Sequence, residues 1–288
     1  MGIAKGAVSL FYELKQSTTL SGSVCQLGRQ QLWLDADQLG RIAARFGFDA
    51  QTKGPLTDEK LFTLLGFDTV ESIDYSDFEQ ATHVLDLNRP VPSSMWEKYD
   101  VIFDGGTLEH VFDFPSALKN IHAMLKPGGL IVHASPSHNH VDHGFYMFSP
   151  TVFNDYYRAN GYEIVRFFIF EHERDHAGRP WLIYKYSPEA ISHLSYGGWR
   201  DKLLGIWCVA RKLPSSSSDV VPQQGYYLTA WKQETIAEAR GSGTYMDVLK
   251  REIRGNRYLE PGARLLWSGI ERLFPRIRLR RPPVIARY

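Results

Sequence analysis

Tyr99–Gly106 reads YDVIFDGG, and the residues behind it, 107–136, read TLEHVFDFPSALKNIHAMLKPGGLIVHASP. An apolar run that meets an acid and two glycines predicts a buried strand ending in a tight turn. A helix is expected from about Pro115 to Leu125. Lys126-Pro127-Gly128-Gly129 stops it, because proline cannot continue a helix and glycine accepts the left-handed turn that reverses the chain. Leu130–Ala134 predicts the next buried strand. Strand, helix and strand at this spacing form a crossover unit, which demands parallel strands.

The same alternation extends both ways. Upstream, Val24–Leu27 is a short strand closed by Gly28. Asp35–Phe46 predicts a helix with Leu39, Ile42, Ala43 and Phe46 on one face, and Thr57 opens a second helix that Gly66 ends. Val70–Asp74 and Thr82–Leu87 are further strands. Downstream, Ser149-Pro150 starts a helix reaching Asn160-Gly161, and strands follow at Tyr162–Glu171 and Leu204–Ala210. The expected fold class is α/β, a mostly parallel seven-stranded sheet with helices on both faces. Residues 1–212 form the main domain. Residues 213–225, with Pro214-Ser215-Ser216-Ser217-Ser218-Asp219, read as a flexible linker. Residues 226–288 read as a C-terminal helical extension with a basic tail. Tyr226–Arg240 looks helical, and Leu265–Ile277 has the pattern of an amphipathic basic helix. That helix either docks on the domain ahead of a disordered tail or adsorbs to anionic lipid.

Composition excludes several classes. The 288 residues carry 33 Lys+Arg and 32 Asp+Glu, so net charge argues against a dedicated nucleic-acid coat protein. The 43% hydrophobic and 13% aromatic content is ample for a core. Cys25 and Cys208 are too few and too far apart for a disulfide framework or a cysteine metal site. The opening MGIAKGAVSLFYELKQ has no apolar core of signal-peptide length, and a cytoplasmic location is expected.

Four segments in order, LGRQ, IDYSDFEQATHVLDLN, DGGTLEHVF with LKPGG, and HGFYMFSP, resemble the class I S-adenosylmethionine-dependent methyltransferases, which are Rossmann-like. The likeness runs from about Ser23 to Phe170 and points to the group associated with polysaccharide and sugar-modifying gene clusters. It implies S-adenosylmethionine as cofactor and methylation of a small or sugar-like acceptor, most readily at oxygen, with no nucleic acid involved. A homodimer and a peripheral membrane contact through the basic C-terminus fit the same picture. The alternative is a catalytically silent binding or scaffold protein on the same fold.

A sulfonium nucleoside needs a tight turn near its amino-acid tail, an acid for the ribose hydroxyls, and a polar and apolar pair for adenine. Gly28 with Arg29 suits the first, Asp74 the second, and Asp86 with Leu87 the third. Asp104, Gly105, Gly106 and Thr107 would wall the methyl side, and His110 matches the family's histidine near the cofactor. Two departures stand out. The first turn, Gln26-Leu27-Gly28-Arg29-Gln30-Gln31, keeps one glycine of the family's several and lacks its acid, and Gly28 lies 74 − 28 = 46 positions before Asp74. Each feature also has a plainer reading: Asp74 as a turn cap, Gly105-Gly106 as a backbone device, Glu109 as an ordinary first-turn acid.

His133, His138, His140 and His143 crowd the stretch after the fifth strand. Imidazole is suited to take a proton near neutral pH, and His143 is the first candidate for that role, His140 the second. With Asp142 these histidines would also make a metal-dependent enzyme conceivable, although no metal is expected. Phe145, Tyr146 and Phe148 either line an acceptor pocket or lead into the helix at Ser149.

Overall fold

The computed structural model describes residues 2–174, 179–188, 190–195, 197–229, 231 and 281–288. In chain order the elements are β1 (Gly2–Ile3), α1 (Lys5–Ser17), β2 (Gly22–Leu27), β3 (Gln31–Leu32), α2 (Ala36–Arg45), α3 (Asp58–Leu65), β4 (Phe67–Asp74) and β5 (His83–Val84). Then come β6 (Tyr99–Asp104), α4 (Phe114–Met124), β7 (Leu125–Pro136), α5 (Pro150–Ala159), β8 (Glu163–His172), β9 (Leu182–Lys185), β10 (Leu203–Arg211) and β11 (Val284–Arg287).

The helices begin where side chains can satisfy their first N–H groups. Asp35 and Gln38 form a reciprocal capping box on α2. Thr57 accepts from the Lys60 N–H, and Gly66 ends α3 in the left-handed region at φ 113°. Asp113 caps α4 and Ser149 caps α5, each with proline in the first turn.

The main sheet has the order β11-β9-β8-β10-β7-β6-β2-β4-β5. Ladders β2·β4, β2·β6, β4·β5 and β6·β7 are parallel, and those joining β10 to β7 and β8, and β9 to β8 and β11, are antiparallel. All strands but β9 and β10 therefore run one way, as the apolar strands foretold. The sheet has nine strands, not seven. The additions are β9, whose four residues are too few for a legible period, and β11, made by the chain's last residues. Thus Val284–Arg287, expected in the helical extension's tail, is a strand paired with β9.

One face is built on α1, which the sequence did not disclose. Its buried residues include Gly6 and Ser9 besides Val8, Leu10, Phe11 and Tyr12, so no clean apolar stripe marks it. Phe11 meets Phe62, Phe103 and Trp207 edge-on at 5.6, 5.0 and 5.1 Å. Side chains alternate along a strand, so Val132 joins this core while His133 faces α5 on the other side, stacked 4.4 Å from Phe153.

Three local expectations change. Lys126–Gly129 is absorbed into β7 as an irregularity against Tyr99–Val101. The strand expected over Thr82–Leu87 shrinks to His83–Val84 at the sheet edge. The serine-rich segment is held in place: Ser217 Oγ donates to Asn160 Oδ1 at 2.9 Å, which also accepts from Val220 N at 3.0 Å, and Ser216 Oγ donates to Gly161 O at 2.9 Å. Asn160, the buried C-cap of α5, supplies the anchor.

Residues 1–186, 201–222 and 283–288 make one compact unit, and 187–200 with 223–282 a second. In the second unit residues 225–229 are helical, and the Arg281 guanidinium lies 5.5 Å from the Trp199 ring centre. The remainder of Tyr226–Arg240 and the Leu265–Ile277 segment lie outside the described residues.

Candidate active site

The chain leaves β2 toward β4 and β5 but later runs from β6 toward β7, so the sheet order switches between β2 and β6. Ligands of open α/β sheets lie beyond the carboxyl ends of strands at such a point. Here Gly28 follows β2 with φ 70°, a conformation that excludes most side chains, and donates its N–H to Ile73 O at 2.7 Å. Gly105 follows β6. A Cβ on it would stand 2.7 Å from the Phe103 ring and 3.0 Å from Gln30 Cδ. The Thr107 hydroxyl donates to Leu27 O and ties the two bends together.

Gln30, which sequence reasoning passed over, fills the seat between these bends. It is 3% exposed, its amide nitrogen donates to Leu27 O and Gly28 O at 3.4 and 3.3 Å, and its Oε1 finds no partner among the described residues. The signal was available in hindsight: a turn that has lost its glycines must carry side chains there.

Toward β4 the expected cofactor residues stand at one rim. Asp74 Oδ2 accepts the Arg29 N–H at 3.3 Å and Oδ1 accepts the Tyr75 N–H at 2.7 Å, leaving lone pairs on a half-buried carboxylate. Asp86 Oδ1 accepts from Asn88 Nδ2 and N at 2.7 and 2.9 Å, which lowers its pKa, and Leu87 is buried beside it. The Arg29 side chain turns away. It pairs with Asp58 at 3.2 Å and Glu59 at 2.8 Å and donates to Gln80 O, so α3 rather than a ligand holds its guanidinium.

Asp104 differs from its expected part. It is fully buried: Oδ2 meets His133 Nδ1 at 2.8 Å and Ser135 Oγ at 3.1 Å, and Oδ1 accepts the N–H groups of Thr107 and Leu108. Burial opposes its charge, but the His133 hydrogen bond leads the contacts that bring its pKa below the ordinary value. With His133 Nε2 on Tyr157 Oη at 2.6 Å, the carboxylate belongs to an internal network that fixes the bend. It has no surface left to wall a cofactor, and His133 is no part of the loop histidines.

Toward β7 a cavity of ≈ 640 Å³ opens beyond the strand ends, lined by Gly105, Gly106, Glu109, His140 and His143 on one side. Trp33, Phe170 and Trp181 supply aromatic walls, and Asn139 and Asp142 polar edges. Phe145, Tyr146 and Phe148 do not line it. Phe148 packs 4.8 Å from Phe114 and 5.3 Å from Phe153 against α5, and Tyr146 Oη donates to Phe112 O.

Glu109 lies in a 3₁₀ turn, Leu108–His110, and is 1% exposed. Its Oε1 is 3.6 Å from His143 Nε2 and 3.9 Å from His110 Nε2, and its Oε2 has no hydrogen-bond partner among the described residues. Burial pushes the Glu109 carboxyl above its ordinary pKa, the carboxylate raises His143, and burial lowers His110. The loop reaches Glu109 because Phe145 N and Tyr146 N both donate to its carbonyl, at 2.8 and 3.2 Å. His140 is close by, 5.8 Å from the His143 ring and stacked 5.4 Å from His172.

Residues 54–181 match the family model described as a methyltransferase domain. Over that stretch the chain is similar to a methyltransferase domain. The match begins beyond Gly28 and Arg29, so the divergent first bend lies outside it, whereas Asp74, Asp86, Glu109 and His143 fall within it. The class I resemblance read from the sequence is borne out over this stretch. No curated protein matches the chain. Among solved structures, the chain is similar to 1,6-didemethyltoxoflavin-N1-methyltransferase from Burkholderia thailandensis (15% identity, 73% of this chain and 78% of that one, TM-score 0.38). It is also similar to the N-methyltransferase NodS from Bradyrhizobium japonicum (13%, 71% and 83%, TM-score 0.38). A third is an S-adenosylmethionine-dependent methyltransferase from Mesorhizobium loti (13%, 72% and 99%, TM-score 0.37). No helix among the described residues is long and apolar enough to cross a membrane.

Proposed function

We propose that this domain moves the methyl group of S-adenosylmethionine to a hydroxyl oxygen of a small or sugar-like acceptor held in the ≈ 640 Å³ cavity. The observation that carries the reading is the Glu109–His143 pair in the cavity lining, which it shares with the double-glycine bend. The volume lies within the range of small-molecule sites, and mixed aromatic and polar walls suit a molecule with apolar faces and hydroxyl edges.

The residues present fit the cofactor. Two buried acceptors, Gln30 Oε1 beside Gly105 and Glu109 Oε2 in the cavity lining, lack partners among the described residues. Leaving such atoms unmade costs about 1–3 kcal/mol each, and a ligand bearing an ammonium and a sulfonium offers a donor and positive charge to answer them. Gln30, Asp74 and Asp86 would hold the tail, ribose and adenine. When bound, the cofactor supplies an electrophilic methyl carbon and a thioether leaving group. The chain's part is alignment, exclusion of water and removal of the acceptor's proton. His143, steadied by Glu109, meets the acceptor hydroxyl, and His143 or His140 receives its proton.

Calorimetric titration with S-adenosylhomocysteine, followed by transfer of labelled methyl to a panel of hydroxyl compounds, tests this. Micromolar binding and labelled product are expected. Absence of binding at millimolar concentration would leave only a scaffold role. His143→Ala is expected to cut turnover while sparing S-adenosylhomocysteine affinity, and full activity in that variant would remove His143 from the reaction.

A further inference from the structure

We infer that Glu109, His110 and His143 form a site for a divalent first-row transition cation where Glu109 and His143 line the cavity. Among the described residues this is the one grouping in which three such side chains offer ligand atoms within 4.8 Å of one another. Two imidazoles and one carboxylate form a donor set that suits Zn²⁺, Mn²⁺, Fe²⁺ or Co²⁺ better than the oxygen-seeking Mg²⁺ or Ca²⁺.

Several features separate this cluster from an ordinary ion pair. The Glu109 contacts to His143 and His110, at 3.6 and 3.9 Å, are longer than hydrogen bonds, so the carboxylate is buried without being satisfied by either ring. Its second oxygen has no partner among the described residues. Oε1 is the oxygen that faces the two imidazoles, too far from either to hydrogen-bond, and a cation between them would give that carboxylate oxygen a partner. Ligand atoms about 2 Å from a shared metal stand roughly 3–3.5 Å apart. The contraction falls on His110 and His143, whose side chains are 40% and 49% exposed, rather than on the buried Glu109.

The backbone also brings the third ligand in from a distant segment. A Cβ at Gly144 would stand 2.8 Å from Glu109 O, 3.1 Å from Glu109 Cγ and 3.1 Å from His110 Nδ1, so only glycine lets the loop close this far. Phe145 and Tyr146 then clamp it to the Glu109 carbonyl.

This inference rests on the reading that the acceptor's hydroxyl enters here, and it settles which histidine takes the proton. A three-ligand site keeps positions open, and adjacent hydroxyls of a sugar-like acceptor can occupy them. Coordination lowers the hydroxyl's pKa. The proton passes to His140, the oxygen lone pair forms the new C–O bond, and the C–S electron pair leaves with sulfur. The cation keeps its oxidation state throughout.

The test uses the full chain, purified without a nickel column and dialysed against chelator and then buffer. Titration with Co²⁺, read by visible absorption, and with Zn²⁺ or Mn²⁺, read by calorimetry, is expected to saturate at one ion per chain. His110→Ala and His143→Ala should each weaken binding at least tenfold, while His138→Ala leaves it unchanged. Thermal melting confirms that each variant is folded. Absence of saturable binding in the parent chain, affinities unmoved by both substitutions, or loss on His138→Ala instead, would overturn the site. S-adenosylhomocysteine affinity is measured separately, so a chain that binds it yet shows no saturable metal binding would refute this site and leave the methyltransferase reading standing.

Discussion

The two sides of the switch point are built differently. On the β2, β4 and β5 side the groups proposed to hold the cofactor sit where short sequence signals put them: Gly28 just past one strand, Asp74 at the end of the next, Asp86 two residues past β5. On the β6 and β7 side the decisive cluster unites a 3₁₀ turn with a loop more than thirty positions later. The first side reads as a list of strand tips. The second exists only through packing, and the proposed chemistry rests on it. Cofactor recognition can be assembled from strand-end residues that need only face one crevice, whereas proton transfer needs side chains converging within a few ångströms.

Three measurements would break or sharpen that contrast. The largest effect is expected from Asp104→Ala. It leaves His133 and two backbone N–H groups without their buried acceptor, and such one-sided losses cost about 3–5 kcal/mol. Urea unfolding reads it, and a loss under 1 kcal/mol would mean that the bend is not held by this network.

Next comes Glu71 on β4. Burial opposes its charge, but hydrogen bonds from Lys98, Tyr99 and His83 outweigh that and hold its pKa at about 2, below the ordinary 4.5. A carboxyl depressed on folding contributes stability above its unfolded pKa, and that contribution disappears as pH falls from about 4.5 through 2. Discounted for the partly exposed Lys98 and His83, the contribution is about 2–3 kcal/mol. Glu71→Gln should lower stability by about that amount at pH 7 and flatten its acid dependence. An unchanged acid limb would assign the acid sensitivity to other groups.

The smallest effect belongs to the strand-tip side. Asp74→Ala should weaken S-adenosylhomocysteine binding by about 1–3 kcal/mol and leave the urea midpoint nearly unmoved, because its bonds serve only local turns. Unchanged affinity would place the ribose elsewhere.

Much of the fold was legible because its signals are short-ranged. Asp35, Thr57, Gly66 and Ser149 mark helix ends through hydrogen bonds or dihedral angles within a few residues, and all four mark them in the structure. What stayed hidden depends on distant partners. Helix α1 looks unremarkable in sequence because its small residues earn their place against remote surfaces, as Gly6 does against Trp181. Gln30 was passed over because a lone glutamine in a turn carries no pattern. The loop histidines looked like one cluster, yet strand alternation turns His133 into the α5 side while His140 and His143 face the cavity.

By itself, then, the sequence determined the alternation of strands and helices, the parallel sheet and the acids at the strand tips, because periodicity, capping and glycine conformations act over a few residues. Only the tertiary structure decided that Asp104 is an internal strut, that Arg29 serves α3, and that the buried Glu109 is brought up against His110 and His143. Burial and convergence are properties of chain segments brought together across the fold, and no local spacing encodes them.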